Sequence, residues 1–149
     1  MRIVHRAGLR RPPLIDGDRL VVEGGGAGAT AKRIEVWLKE RARAALTPIA
    51  EDCAEAVGGR LGRITMRDTK GRWGSCSAAG NLNFSWRLAM APPAVLDYVA
   101  AHEAAHLIEM NHGPRFWALV ERLRPDWRDQ RAWLKREGGA LHRYRFAPE

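Results

Sequence analysis

Three histidines and a glutamate have the types and spacing of a catalytic metal site. His102, Glu103 and His106 form the pattern His-Glu-x-x-His, and His112 follows after a gap of five residues. On a helix, positions four residues apart lie on the same face, so His102 and His106 can offer two imidazole nitrogens to one ion. Glu103 lies beside the first ligand but off the ligand face, which suits a general base acting on metal-bound water. The pattern is typical of sites in which a metal ion and a carboxylate act together on a bound water.

Two residues compete for the third ligand position. His112 is six positions beyond His106, so an unbroken helix would carry it off the ligand face. The run Asn111-His112-Gly113-Pro114 is a helix stop, because Asn and Gly tolerate left-handed backbone and Pro cannot extend a helix. If the chain turns back there, His112 can complete the site, and we predict it as the ligand. Glu109 is the alternative, although it also suits a surface acid or a hydrogen-bond partner of a ligand histidine.

Zinc is the ion that this ligand set favours. Three neutral imidazoles with one open position are the pattern of catalytic zinc, whereas a structural site is closed by a fourth protein ligand. The two cysteines, Cys53 and Cys76, do not form a Cys-x-x-Cys pair. We therefore expect a catalytic zinc site and two free thiols.

The composition is that of a soluble globular protein. The chain has 149 residues, of which 46% are hydrophobic and 28% charged, so we expect one domain with a hydrophobic core. No apolar run approaches the roughly 20 residues of a membrane helix, and the N-terminus lacks the apolar core of a signal peptide. We expect a cytoplasmic protein. The net charge of +8 is compatible with association of nucleic acid through a basic surface, but a solvated, arginine-rich surface explains the charge as well.

The first part of the chain is predicted to be an arm followed by a long helix. Residues 1–29 are predicted to be a basic N-terminal arm with a hairpin around residues 16–18 and a glycine-rich linker at 24–28. Residues 1–13 show no core pattern, and we expect them to be poorly ordered. Thr30 suits an N-cap, and apolar residues recur at helical spacing from there to the glycines at 58–59. Pro48 either kinks this helix or begins a second one.

The second part is predicted to be a small sheet followed by helices. Alternating apolar residues predict a three-stranded antiparallel meander at 63–68, 72–77 and 82–89. Pro92-Pro93 opens the helix that carries the histidine pair. Further helices follow from Pro114 and from Trp127, and the last ends at Gly138-Gly139. The fold class is α+β: a small antiparallel sheet packs on the long N-terminal helix and the active-site helix, with a helical C-terminal part.

Residues 63–137 resemble the YgjP-like metallopeptidases, small metal-dependent hydrolases similar to the SprT-like zincins. The resemblance rests on five segments: Arg72-Trp73-Gly74-Ser75-Cys76-Ser77, the run from Asn81 to Leu88, Ala91-Pro92-Pro93, the run from His102 to His112, and Phe116-Trp117. The Trp-Gly-Ser-Cys-Ser element ahead of the histidines is far more specific than His-Glu-x-x-His alone.

The resemblance implies a zincin-type fold over residues 30–149 and a zinc-dependent peptidase activity. It makes His102, His106 and His112 the metal ligands. Glu103 would be the catalytic base. In zincins an edge strand above the active-site helix pairs with an extended peptide, and residues 72–86 are the natural candidate for it here.

Five residues of the strand region are candidates for contact with a peptide or protein substrate: Trp73, Gly74, Ser75, Asn83 and Trp86. The two tryptophans suit the hydrophobic core equally well. Two other functions remain open at this point. One is a metal-dependent hydrolase of a non-peptide substrate such as a nucleotide, and the other is a DNA-associated basic protein.

Overall fold

The computed structural model describes residues 2–8, 11–17 and 19–143, apart from the side chains of residues 27 and 28. The rest of the predicted arm (residues 1, 9, 10 and 18) and the end of the predicted domain (144–149) lie outside the described residues. The strands are β1 (Arg2–Arg6), β2 (Arg11–Asp16), β3 (Arg19–Glu23), β4 (Ile64–Arg67), β5 (Gly74–Cys76) and β6 (Leu82–Ser85). The helices are α1 (Ala27–Val57), α2 (Pro93–Ala105), α3 (Pro114–Leu123) and α4 (Trp127–Leu141), with a 3₁₀ helix at Trp86–Met90. The α+β class is as predicted. Among the described helices, none is long and apolar enough to cross a membrane.

The N-terminal residues form a three-stranded sheet in the order β1-β3-β2. β2 and β3 are the predicted hairpin, which closes where Asp16 lies opposite Arg19. The prediction of a poorly ordered segment is wrong for residues 2–6, because β1 pairs in parallel with β3, and for residues 11–13, which belong to β2. This pairing depends on backbone hydrogen bonds rather than on burial, since most of β1 is exposed, and hydrophobic patterning therefore does not reveal it. Leu20 and Val22 of β3 join the main hydrophobic core, so this sheet packs with the rest of the chain.

The long helix α1 is continuous from Ala27 to Val57, with Pro48 inside it. The helix therefore begins earlier than predicted. Gly26 is the N-cap residue, and the Thr30 hydroxyl donates to the Gly26 carbonyl from within the first turn. The linker prediction is accordingly wrong for residues 27 and 28. One stripe of α1 is buried in the core and comprises Ile34, Leu38, Ala42, Leu46, Ala50 and Cys53.

The second sheet has the order β4-β6-β5 and is mixed rather than an antiparallel meander. β4 pairs in parallel with β6, and β5 pairs antiparallel with β6. The three predicted strands are present, but they pair in a different order, with β6 between β4 and β5. β6 is the most deeply buried strand of this sheet, and its residues Leu82 and Phe84 are at most 1% exposed. A central position buries both faces of β6 and leaves the three-residue strand β5 at an edge. That edge packs against α2.

Helix α2 positions the first two histidines. Pro92 is its N-cap residue and Pro93 its first residue, as predicted. The helix ends at Ala105, several residues before the predicted stop, and His106 is its C-cap residue. The amides of Ile108 and Glu109 both donate to the Ala105 carbonyl, so the chain turns away at once. α3 then begins at Pro114, as predicted.

Arg87, which is only 7% exposed, fixes the C-terminal end of helix α4. The Arg87 guanidinium donates to the Asp68 carboxylate and to the Leu141 carbonyl, which ties the end of β4 to the end of α4. The hydrogen bond from Arg87 lowers the pKa of Asp68, so this carboxylate keeps its charge to a lower pH than an isolated aspartate. The prediction that α4 ends at the two glycines is wrong: the helix passes through Gly138 and Gly139 to Leu141.

Gly138 lies in contact with Trp73, which explains a glycine inside this helix. We expect Gly138→Ala to be less stable than Gly139→Ala, its matched control one residue along. A Cβ at residue 138 would lie 2.9 Å from Trp73 Cζ2, and such overpacking costs about 1–3 kcal/mol. A Cβ at residue 139 would meet nothing within 4 Å, and alanine there gains up to about 0.5–1 kcal/mol over glycine. Thermal unfolding compares the two variants; equal melting temperatures would contradict this packing.

Candidate active site

The structure brings the three predicted histidines together. His102 lies in the last turn of α2, His106 is the C-cap residue, and His112 lies in the loop before α3. The Nε2 atoms of His106 and His112 are 3.0 Å apart, and those of His112 and His102 are 3.2 Å apart. Within the described part of the chain, these three residues are the group whose ligand atoms are close enough to hold one metal ion.

The spacing of these nitrogens fits tetrahedral zinc. Two nitrogens that each lie about 2.0–2.1 Å from one ion at the tetrahedral angle are about 3.4 Å from each other. Two of the three separations, 3.0 and 3.2 Å, need only a small expansion to reach that value, and all three ligand atoms lie within 4.8 Å of one another. Three imidazoles without a sulfur or carboxylate ligand are a donor set that zinc accepts readily.

The outer nitrogens of two histidines are held by hydrogen bonds that orient the rings. His106 Nδ1 lies 2.9 Å from the backbone carbonyl of Glu109. A carbonyl can only accept, so the proton is on Nδ1 and the lone pair of Nε2 points into the cluster. His102 Nδ1 lies 3.2 Å from the Tyr98 hydroxyl, and this hydrogen bond orients the second ring. Glu109, the alternative third ligand, thus contributes its backbone oxygen to His106, and its carboxylate is not part of the cluster.

Aromatic rings of α3 close one side of the cluster. Phe116 is fully buried and stacks on His106 with ring centroids 4.3 Å apart. It also makes edge contacts with the rings of His102 and His112. Trp117 lies 5.8 Å from the His102 ring. These contacts restrict the rotation of all three imidazoles, so α3 helps to position the site.

Burial keeps the histidines of α2 uncharged. Burial, with smaller contributions from the neighbouring His106 and His112, lowers the pKa of His102 to about 3. Burial also lowers the pKa of His106, which the hydrogen bond to Glu109 partly opposes. A metal ligand must be neutral imidazole, so this environment prepares both side chains for a cation.

Glu103 lies beside the cluster without joining it. Its Oε1 atom is 3.9 Å from His102 Nε2, and its side chain is only 7% exposed. Burial raises the pKa of Glu103 to about 8, and the positive charge of Arg72 opposes this rise. A cation held by the histidines would oppose it further, because a nearby positive charge favours the carboxylate. The geometry therefore allows Glu103 to take and release a proton next to a bound ion.

Gly74 of the edge strand β5 lies directly against Glu103. A Cβ at residue 74 would lie 2.7 Å from Glu103 Cγ and 3.1 Å from the Asn83 carbonyl oxygen. Real Cβ atoms essentially never approach so closely, so only glycine lets β5 pass the carboxylate in its present position. This contact gives Gly74 a structural role that its position in the Trp-Gly-Ser-Cys-Ser element did not reveal.

We expect Gly74→Ala to displace Glu103 and to reduce the activity of the site at least tenfold with metal content unchanged. The reason is that a misplaced catalytic group loses rate steeply with distance, about 10²-fold for a displacement of 1 Å. Gly71→Ala is the matched control, since a Cβ there would meet nothing within 4 Å although Gly71 lines the same cavity. Assays of hydrolytic activity and metal content on both variants test this. Equal activities would contradict the contact.

Two cavities meet at Gly74, His102 and Glu103. One, of about 350 Å³, continues past the other two histidines and is lined by Gly71, Arg72, Ser75, Cys76, His106, Met110 and His112. The other, of about 300 Å³, continues towards α4 and is lined by Trp73, Tyr98, Val99, Arg131, Leu134 and Lys135. We call them the histidine lobe and the α4 lobe. Together they form a cleft that passes Glu103 on both sides.

The structure brings only some of the predicted substrate residues to this cleft. Trp73 lines the α4 lobe, Ser75 the histidine lobe, and Gly74 both. The prediction for Trp86 is wrong, because its side chain is 1% exposed and forms part of the core. The prediction for Asn83 is not supported either: its amide donates to the Ser75 hydroxyl and its oxygen accepts from Arg67, so it joins three strands instead.

Several cleft residues were missed by the sequence reasoning. Tyr98 stands four residues before His102, and that helical spacing could have indicated the contact between their side chains. Arg131, Leu134 and Lys135 reach the cleft because α4 folds back beside α2. No local pattern indicates that arrangement.

The fold and the site define an α+β protein in which a histidine cluster suited to a metal ion lies beside a buried carboxylate. Residues 14–137 match the family described as YgjP-like, metallopeptidase domain, and the chain belongs to that family. The resemblance seen in the sequence is therefore confirmed. At the level of the family, the chain is a metal-dependent peptidase.

A solved structure supports the fold. The metallopeptidase zymogen of Pyrococcus abyssi abylysin is similar to this chain with a TM-score of 0.54 and 21% sequence identity, over 60% of this chain and 93% of that chain. At this identity the likeness concerns the fold alone. No curated protein matches the chain. The similarity to SprT-like zincins stays a prediction.

Proposed function

We propose that this chain is a zinc-dependent peptidase in which Glu103 is the catalytic base and His102, His106 and His112 hold the metal. The observation that carries the proposal is the convergence of three Nε2 atoms beside the Glu103 carboxylate. Family membership supports the peptidase class, and the three-imidazole donor set supports zinc.

Zinc bound there would supply a Lewis acid that polarises the scissile carbonyl and lowers the pKa of a water. Glu103 takes a proton from the attacking water, whose oxygen bonds to the carbonyl carbon. Glu103 then gives that proton to the amide nitrogen as the carbon–nitrogen bond breaks, so that the products are a carboxylic acid and an amine. Burial raises the pKa of Glu103 and a bound cation would lower it again, so the carboxyl group can both take the proton and release it.

The substrate is a peptide or protein segment in extended conformation. Strand β5 is at an edge of its sheet and contributes Gly74, Ser75 and Cys76 to the cleft. A peptide added beside this edge would form backbone hydrogen bonds with it, and its scissile bond would face Glu103. A reducing compartment such as the cytoplasm is part of the proposal, since Cys53 and Cys76 are both free thiols.

The experiment that tests this function offers casein and nucleoside triphosphates side by side to zinc-loaded protein. We expect hydrolysis of casein, loss of this activity with a chelator such as 1,10-phenanthroline, and recovery when zinc is added back. Hydrolysis of the triphosphates without casein would favour a non-peptide hydrolase. Hydrolysis of neither substrate would contradict the enzyme assignment.

A further inference from the structure

The α4 lobe combines an apolar lining with two positive charges. Trp73, Val99 and Leu134 contribute apolar surface, whereas Arg131 and Lys135 contribute the charges. The last two are four residues apart on α4, so they lie on the same helix face. Glu103 is the acidic residue of the lining, and it is buried at the point where the two lobes meet.

The two cations have no acidic partner among residues 2–8, 11–17 and 19–143. Other arginines of the same region do: Arg124 pairs with Asp97, and Arg128 pairs with Glu121. Arg131 is instead held by Trp117, whose ring centroid lies 5.3 Å from its guanidinium carbon. Its charge is thus positioned beside the lobe and available to an incoming anion.

We propose that the α4 lobe binds a carboxylate of the peptide substrate, carried by the residue next to the scissile bond. Arg131 and Lys135 bind the carboxylate, and Trp73 and Leu134 contact the carbon chain that carries it. The proposal rests on the peptidase function proposed above. A volume of about 300 Å³ is at the lower limit of ligand cavities and suits one residue rather than an extended segment.

This arrangement selects among substrates by charge. An acidic residue would gain two charge-assisted contacts, whereas a lysine or arginine would be repelled by both cations. The carboxylate can come from two sources: the side chain of a glutamate or aspartate, or the C-terminal carboxylate of a substrate cleaved one residue from its end.

The test uses pairs of fluorogenic peptides on zinc-loaded protein. One pair differs by glutamate or glutamine at each position that flanks the scissile bond, with an amidated C-terminus. The other pair has a free or an amidated C-terminus one residue beyond that bond. We expect kcat/KM to be about tenfold higher for the carboxylate member of one pair, and this ratio to fall at high salt.

The variants locate the source of this preference. In Arg131→Gln/Lys135→Gln the ratio is expected to approach one. Arg136→Gln, which removes a charge from the same helix outside the lobe, is expected to keep the wild-type ratio. Because Arg131 contacts Trp117, the zinc content of each variant is measured, and Lys135→Gln alone provides a second variant that leaves this contact intact.

A binding measurement separates this proposal from the proposed function. The affinity of Glu103→Gln for each peptide is measured by tryptophan fluorescence, with no hydrolysis required. Equal affinities and equal kcat/KM values within both pairs would overturn the carboxylate site and leave the peptidase intact. If the carboxylate peptides bind preferentially but the wild type hydrolyses none of them, the carboxylate site in the α4 lobe is supported and the proposed peptidase function is contradicted. An unchanged preference in both lobe variants would also overturn the assignment to Arg131 and Lys135.

Discussion

Glu103→Gln is expected to reduce peptide hydrolysis by about 10²–10⁴-fold while the protein keeps its zinc. Glutamine has nearly the shape of glutamate, so the buried position against Gly74 remains filled. It cannot accept a proton from water, which removes the general base. The three histidines are untouched, and metal content should equal that of the wild type.

Glu109→Gln is the matched control for this variant. Glu109 is close in sequence and borders the same site, but its contact with His106 uses the backbone carbonyl, which the substitution retains. We expect wild-type activity from it. Hydrolysis rates and metal content of the two variants are compared in one series. A wild-type rate in Glu103→Gln would remove Glu103 from the mechanism.

His112→Ala is expected to weaken zinc binding by more than about 100-fold and to abolish activity. Loss of a residue that only hydrogen-bonds to a metal ligand weakens binding by about 10–100-fold, so loss of a ligand itself should exceed that range. Its Nε2 atom lies within 3.2 Å of both other Nε2 atoms, so its removal leaves two ligands in place of three. Because His112 is exposed in a loop, the substitution should leave the helices folded. Competition with a chromophoric chelator measures the affinity.

His5→Ala is the control for the loss of one imidazole. His5 lies on β1, where its ring nitrogen is 3.4 Å from the Gly24 carbonyl. We expect unchanged zinc affinity from this variant. If His112→Ala also binds zinc as the wild type does, another group is the third ligand, and the Glu109 carboxylate becomes the first candidate.

The core of the candidate site could be predicted from sequence because its geometry is local. His102 and His106 share one helix face by spacing alone, and Gly113-Pro114 marks the place where the next helix begins. Even an error in the helix end did not matter: α2 stops at Ala105 rather than near Asn111, yet the turn still returns His112 to the cluster.

The rest depends on contacts between distant segments, which local patterns do not encode. The position of β6 between β4 and β5 follows from burial of Leu82 and Phe84 in the assembled core, so the strands were predicted but their order was not. The glycines of α4 suggested a helix end until the close approach of Trp73 to Gly138 explained them. The α4 lobe arises in the same way, from packing of α4 beside α2.

X-ray absorption at the zinc edge, on protein loaded with one equivalent of zinc, tests the central claim most directly. The account predicts a first shell of nitrogen and oxygen only, at about 2.0–2.1 Å, with the scattering of three imidazoles. Cys76 lines the histidine lobe and is the nearby group that could close the open position. A zinc–sulfur distance of about 2.3 Å would contradict the account, because a site closed by cysteine is structural rather than catalytic.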